Sequence, residues 1–292
     1  MCRDCGENAV FPTSFTYHRA QSIEDAVAVL EQNPDAKILA GGHSLIPAMK
    51  LRLAAPETLV DIGRIAELRT IKVDADIHIG AMVTYNEIRD HMELATLFPI
   101  LPEAINVVGD QQVRARGTLG GAIAHADPAA DLTAVFHALN GRISATGPSG
   151  EREIAADDVF VDLWTTSLEP NELLTTIVIP RPAPGTKMAY AKHSHPASGY
   201  AVVGVAVVLE MSHGSVSDAR VVITGATSTP TRATGVEAAL NGKNLTSTTI
   251  ADAASRASVD LEINGDTYAS EEYRAHLVNV MTRNALEQAA AR

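Results

Sequence analysis

Apolar positions along the chain follow a helical period in some stretches and an extended one in others. In SIEDAVAVLEQ, residues 22–32, Ile23, Ala26, Val27 and Leu30 share one helical face; Ser22 stands where a cap is needed, with Glu24 and Asp25 in the first turn. Asn33-Pro34 ends that helix. Residues 36–40 predict a short apolar strand, then a glycine turn, an apolar helical turn, and a strand in TLVDI at 58–62. IHIGAMVTYNEI predicts a strand, a turn and a helix capped by Thr84. HMELATLFPILPEAINVV predicts helix broken at Pro99 and Pro102. LLTTIVIP, residues 173–180, is a further strand.

Beyond RPAPGTK, whose prolines and glycine read as a linker, the pattern changes. YAVVGVAVVLE and VSDARVVITGA are long β-branched runs joined by SHGS, which predicts an antiparallel hairpin. Helical patterns follow near 230–241, 247–259 and 269–289. A compact β-α-β start and a later run of strands followed by helices predict an α/β first domain over 1–182 and a smaller α+β domain over 187–292. The β-α-β start lacks the GxGxxG spacing of a dinucleotide-binding Rossmann unit.

Composition narrows the function classes. At 46% hydrophobic over 292 residues the chain has material for a sizeable core. Its net charge of −12, with lysines and arginines scattered, sets it against nucleic acid and anionic lipid surfaces. No apolar run approaches the ~20 residues of a membrane span. MCRDCGENAV lacks the apolar segment of a signal peptide, so a cytoplasmic protein is expected. The two cysteines, Cys2 and Cys5, are too few for a structural zinc or a four-cysteine iron–sulfur cluster, and a mobile terminus is the expectation there.

Two glycine-rich stretches carry the chemistry. In AGGHSLIPAMKLRL, from residue 40, Gly41-Gly42-His43-Ser44-Leu45 follow a strand and precede a helical turn. Glycine lets backbone approach a phosphate, and successive N–H groups in such a turn form an anion-binding nest. RGTLGGAIAHADPAADL offers the same chemistry at Thr118, Gly120 and Gly121, with Asp127 and Asp131 just beyond. A diphosphate needs donors and ribityl or ribose hydroxyls need acceptors, so the pair fits a flavin dinucleotide. Alone, a Gly-Gly after a strand is more often an ordinary turn. His43 reads as a positioned polar side chain, Asp127 before Pro128 as a helix cap, and His193, His195 and His213 as surface histidines without metal spacing. No GxSxG, HExxH or paired-carboxylate motif is present, so no side chain is proposed as acid, base or nucleophile.

AGGHSLIPAMKLRLAAPETLVDI together with GDQQVRARGTLGGAIAHADPAADL resembles the medium, FAD-binding subunit of the molybdenum hydroxylases, the family of xanthine dehydrogenase and aerobic carbon monoxide dehydrogenase, and most nearly the latter type. KHSHPASGYAVVGVAVVLE resembles that group's junction between two domains, and the likeness runs over nearly the whole chain. The resemblance implies a two-subdomain FAD-binding fold of the vanillyl-alcohol-oxidase (PCMH) type followed by a smaller α+β domain. It matches Ala40, Gly41, Gly42, His43, Ser44 and Leu45 to a first diphosphate loop, and Thr118, Gly120, Gly121 and Ala122 to a second. Asp131 matches a carboxylate that takes flavin hydroxyls. Leu174 and Lys192 match positions near the flavin ring, and Tyr200 an aromatic covering it; on pattern alone Tyr200 is equally the first residue of a core strand. The chain departs from the family at Thr133, where proline is usual, at Ala122, which brings no side-chain hydrogen bond, and at Gly199, where a larger or charged residue is common. The role implied is electron transfer, with a molybdenum cofactor on a large partner subunit, two iron–sulfur clusters on a small one, FAD here, and a quinone or oxygen as external acceptor. A dimer of heterotrimers is implied as the assembly. Aldehyde or N-heterocycle oxidation, or a scaffold subunit with a decayed flavin site, are the alternatives.

Overall fold

The structure, a computed structural model, describes residues 11–292; Cys2 and Cys5, with the mobile terminus expected there, lie outside the described residues. The chain opens with a parallel sheet in which Thr58–Asp61 lies between Thr16–Arg19 and Lys37–Leu39. The helix Ile23–Gln32 forms as its pattern dictates. Ser22 Oγ accepts the Asp25 N–H at 3.2 Å, and Ala26, Val27 and Leu30 pack with Val60 and Ile62. A five-stranded antiparallel sheet follows, in the order Ile71–Val73, Asp76–Gly80, Leu173–Pro180, Arg142–Gly147, Gly150–Ala155. Leu173–Pro180 sits in its centre, buried on both faces, which is why LLTTIVIP shows no polar alternation.

In the connection between the strands Asp76–Gly80 and Arg142–Gly147, Thr84 starts the helix Tyr85–Asp90 with a capping box, its Oγ1 accepting the Glu87 N–H while Glu87 accepts the Thr84 N–H at 2.7 Å. Pro99 separates the helices Met92–Leu97 and Ile100–Asn106, as read from the sequence. Pro102 does not interrupt the second. It falls in that helix's first turn, where its missing N–H has no intrahelical acceptor to lose.

The last sheet is a meander of Lys187–Ser194, Ala201–Ser212, Ser215–Thr224 and the short edge Thr231–Arg232. SHGS closes its long hairpin, with His213 at φ 50° and Gly214 at φ 84°, the left-handed pair that suits a two-residue turn. The sheet is covered on both sides. Met188, Tyr190, Ala206, Val208 and Val222 face a core that includes Phe98, Ile105, Ala134 and Phe136. Ala189, Val205, Val207, Leu209, Val221 and Ile223 face the helices through Val236, Leu277, Val278 and Ala285. Two expected helices are shorter than their patterns. Residues 230–233 form the strand Thr231–Arg232 and a connection, leaving Thr234–Leu240 helical; the next helix spans Ser247–Ala254 and ends before Val259. The last runs Glu271–Ala290, capped by Ser270.

One buried polar group ties this sheet to the preceding chain. Asp131, the first residue of the helix Asp131–Ala138, accepts the Tyr190 hydroxyl at 2.5 Å on Oδ1 and the Lys192 ammonium at 2.8 Å on Oδ2. The Lys192 and Asp131 side chains are only 2% and 5% exposed. Lys192 also donates to the Val107 carbonyl at 3.0 Å. Gly204 makes room, since a Cβ there would sit 2.2 Å from the Tyr190 hydroxyl oxygen. Asp131→Ala should therefore leave a buried ammonium and a buried hydroxyl without their acceptor and cost about 3–5 kcal/mol. Tyr190→Phe, which removes one hydroxyl and keeps the shape, should cost about 1 kcal/mol. Urea denaturation of the FAD-free chain measures both; equal losses would mean that the ion pair adds nothing to the hydrogen bond.

Candidate functional site

The strand Lys37–Leu39 ends on Ala40, and the chain turns through Gly41 and Gly42 into the short helix Leu45–Lys50. Gly42 has φ +78°, a conformation that L side chains rarely adopt. The turn leaves its donors free: among the described residues the N–H groups of Gly42, His43, Ser44 and Leu45 reach no acceptor. Ser44 does not cap the helix with its hydroxyl, and the His43 ring makes only a long contact of 3.4 Å with the Gly41 carbonyl. Four successive free donors beside a strand end form a nest for an anion.

The second stretch is held by a different device. Leu119 donates to the Val83 carbonyl and Tyr85 to the Gly117 carbonyl, pinning residues 117–119 beside residues 83–85. Thr118 then caps the helix Leu119–His125, its Oγ1 accepting the Gly121 N–H at 3.0 Å. Gly120 is buried against Ala81, where a Cβ would meet the Ala81 Cβ at 2.6 Å, and its N–H reaches no acceptor among the described residues.

These two stretches, distant in sequence, meet. A Cβ on Gly41 would lie 2.1 Å from the Arg116 carbonyl oxygen and 3.3 Å from the Gly117 Cα, and one on Gly121 would lie 3.8 Å from the Ala40 Cβ. Free N–H groups from both therefore border one region. Side-chain-free contact of this kind is what the two phosphates of a dinucleotide require, and the buried orphan donor of Gly120 fits such a group.

Further along, residues 127–130 form a turn, not the helix start expected of Asp127-Pro128. Asp127 Oδ1 accepts the Ala129 N–H at 2.8 Å, and the next helix begins only at Asp131. The Pro128 carbonyl accepts the Gly225 N–H and the Thr224 hydroxyl, both at 2.7 Å, which seats this turn on the last sheet. Burial pushes the Asp131 carboxyl up from its ordinary value, against the pull of Lys192 and Tyr190, and burial together with the Asp131 charge raises the Tyr190 hydroxyl well above a normal phenol. Tyr200 stands nearby, 45% exposed; burial and then the charges of Asp127 and Asp131 raise its hydroxyl as well. Tyr85, whose ring edge would lie 2.7 Å from a Cβ on Gly117, is raised by burial, Asp131 and Tyr200. Asp131, Tyr190 and Lys192 are thus one hydrogen-bonded group, whose carboxylate charge is felt at Tyr85 and Tyr200.

Leu174 differs in kind. It is a core side chain, 4% exposed, at an irregularity where Leu173–Pro180 pairs with Arg142–Gly147. It shares a core with Leu119 and Ile123 of the second glycine stretch, and the next residue, Thr175, accepts the N–H of Ala81 at 2.9 Å. Ala122 lies within the helix Leu119–His125 and contributes its backbone alone. Sequence reasoning missed Tyr190, Tyr85 and Ala81. No motif marks them, though the glycine at 204 opposite an aromatic strand is a signal for Tyr190. The histidines hold no metal constellation among the described residues. His193 and His195 lie against Tyr273 and Tyr268, with ring centroids 6.3 and 4.3 Å apart. Two cavities of about 260 and 170 Å3 lie elsewhere, around His137 and Phe98, and no residue of the glycine stretches lines either.

Comparison with known proteins shows which family the chain resembles over its length. Residues 13–182 match the family described as FAD binding domain in molybdopterin dehydrogenase, and residues 188–289 match the CO dehydrogenase flavoprotein C-terminal domain. The chain is 39% identical to the carbon monoxide dehydrogenase medium chain of Hydrogenophaga pseudoflava, over 97% of this chain and 99% of that one. It is 36% identical to the glyceraldehyde dehydrogenase medium chain of Sulfolobus acidocaldarius, over 96% and 100%. Among solved structures, carbon monoxide dehydrogenase from Hydrogenophaga pseudoflava superposes with a TM-score of 0.93 at 41% identity, covering 96% of this chain and 99% of that one.

The contact between the glycine stretches is open to direct test. Gly41→Val would force its side chain into the Arg116 carbonyl and push the two stretches apart. The variant should keep its far-ultraviolet circular dichroism and lose bound FAD. Stoichiometric flavin in the purified variant would show that the approach of the two stretches is not needed for binding.

Proposed function

The chain belongs to the FAD-binding medium subunits of the molybdenum hydroxylases, and we propose that it serves aerobic carbon monoxide dehydrogenase as its electron-transferring flavoprotein. The observation that carries this reading is the convergence of two glycine stretches with unpaired N–H donors on one region. When bound, FAD supplies the electron-carrying chemistry between the iron–sulfur clusters of a small partner subunit and an external acceptor such as a quinone or oxygen. The chain's own residues bind and orient it. Backbone from Ala40 to Leu45 and from Thr118 to Ala122 takes the diphosphate. Asp131 and Lys192, hydrogen-bonded to each other, face the flavin hydroxyls and ring as one unit, Leu174 backs the ring from the core, and Tyr200 covers it. A large molybdenum-binding subunit completes the complex, which we take to be a dimer of heterotrimers in the cytoplasm; among the described residues no helix is long and apolar enough to cross a membrane. The division into 1–182 for FAD and 187–292 for the smaller domain follows the change of pattern at RPAPGTK.

The same subunit role in an aldehyde dehydrogenase is the second reading, favoured by the identity to the glyceraldehyde dehydrogenase chain. Substrate contacts belong to the large subunit in either case. Anaerobic addition of carbon monoxide, and separately of an aldehyde, to the assembled complex distinguishes them by which one bleaches the flavin band. A complex without a flavin absorbance band would leave only the scaffold role.

Tyr200→Ala tests the covering residue. A stacked aromatic contributes about 0.5–1.5 kcal/mol beyond its buried area, so the variant should shift the flavin spectrum and potential and slow reduction of the acceptor. Stopped-flow observation of cluster and flavin bands should show cluster reduction at the wild-type rate. Slower cluster reduction would put this subunit upstream of the clusters and overturn the proposed order.

A further inference from the structure

Tyr200 stands at the end of the loop 195–200, between the strands Lys187–Ser194 and Ala201–Ser212. Little packing shapes this loop. Pro196, Ala197 and Ser198 are exposed, and Gly199, at φ +72°, has nothing within 4 Å of where a Cβ would be. Its conformation is held by hydrogen bonds that centre on His195. The His195 N–H donates to the Tyr200 carbonyl and the Gly199 N–H to the His195 carbonyl, both at 2.8 Å. The imidazole does more: Nδ1 accepts the N–H of Ala197 at 3.2 Å and of Ser198 at 3.3 Å. Nδ1 serves here as an acceptor, which leaves Nε2 as the ring's donor nitrogen. Tyr200 itself donates its N–H to Ser198 Oγ at 3.3 Å, adding the hydroxyl of a clamped residue to the same set.

The imidazole is fixed in turn from the other side. Its ring lies against Tyr268, centroids 4.3 Å apart and planes inclined at 59°. The segment carrying Tyr268 is braced: Asp266 Oδ1 accepts the N–H groups of Tyr268 and Ala269, each at 2.8 Å. Asp266 Oδ2 accepts from Arg274, whose guanidinium also donates to the Gly225 carbonyl. Gly225 donates to Pro128, in the turn that leads to Asp131. A continuous set of contacts thus links the fixed framework to a loop that has almost no packing of its own.

We propose that His195 is a positioning residue for Tyr200: its imidazole, seated on Tyr268 and accepting the Ala197 and Ser198 N–H groups, holds the loop in the shape that places Tyr200 over the flavin. This rests on the reading of Tyr200 as the covering aromatic. It also gives HPASG a purpose here. At Gly199 this chain has a left-handed turn with no side chain, and the histidine four residues earlier supplies the order that Gly199 cannot.

The test uses the FAD-loaded complex with His195→Ala, His195→Asn, Tyr268→Ala and Tyr200→Ala, read by amide hydrogen exchange, flavin visible circular dichroism and acceptor reduction. His195→Ala should speed exchange at Ala197 and Ser198 by about tenfold or more, the loss expected for two hydrogen bonds. It should shift the flavin dichroism in the same sense as Tyr200→Ala while cluster reduction keeps its rate. Tyr268→Ala should do the same more weakly. His195→Asn, whose Oδ1 accepts N–H groups two and three residues on, should restore both the exchange rates and the dichroism. Wild-type exchange and dichroism in His195→Ala would overturn the proposal, and so would failure of the asparagine to rescue. If Tyr200→Ala shifts the dichroism and His195→Ala does not, the clamp is wrong and the Tyr200 site stands. If neither variant shifts it, Tyr200 is not over the flavin and the proposal falls with that reading.

Discussion

The carboxylate of Asp131 is the point on which the two halves of this structure turn. It has been taken out of water, and its two oxygens accept a hydroxyl and an ammonium that both belong to the strand Lys187–Ser194. Burial opposes its ionisation and the two partners favour it, so the group is tolerable only while all three side chains keep their places. That requirement propagates. Tyr190 needs the missing side chain of Gly204, Lys192 needs the Val107 carbonyl, and the helix that Asp131 opens needs the turn before it, which is seated on Thr224 and Gly225. Tyr200 directly precedes the strand Ala201–Ser212, which pairs with the strand that carries Tyr190 and Lys192.

The glycine stretches work by a complementary rule, an approach of backbones with nothing between them. Gly41 meets the Arg116 carbonyl and Gly120 meets Ala81, so the two donor sets are brought together without any side chain to reach across. In the proposed reading, specificity for a diphosphate follows from N–H groups whose directions are set by the main chain. Such a site depends little on the surrounding side chains, and Ala122, within the helix Leu119–His125, offers backbone alone.

Local features were legible in the sequence because their causes are local. Ser22 and Thr84 cap the helices that their spacing foretells, SHGS turns the hairpin, and Pro99 breaks a helix. The glycines of both stretches could be singled out because a close approach leaves a compositional trace. What escaped depends on partners far along the chain. Asp131 could be named from the sequence, but its partner Tyr190 lies 59 residues away in no pattern of its own. Pro102 and Asp127 were misjudged for a shared reason: each residue type suits more than one local geometry, and the choice lay with where the helix actually began. The edge strand Gly150–Ala155 exposes nearly all of its residues, so its sequence carries no apolar alternation to read.

The strand Ala201–Ser212 is claimed by two cores at once, one built largely from residues that precede it and one from residues that follow. This has a bearing on biosynthesis. While the ribosome is still making the last hundred or so residues, the side of the helix Asp131–Ala138 that packs on the strands Ala201–Ser212 and Ser215–Thr224 waits without its cover. Nascent chains in that condition are substrates for holdases and for one another. The wait ends when the meander emerges and docks, before the terminal helix Glu271–Ala290 arrives to close its other face. Shortening the chain from its end should therefore harm solubility earlier than it harms the glycine stretches, and a ribosome stalled late on this message would hold a product that aggregates although most of its sheets are already formed.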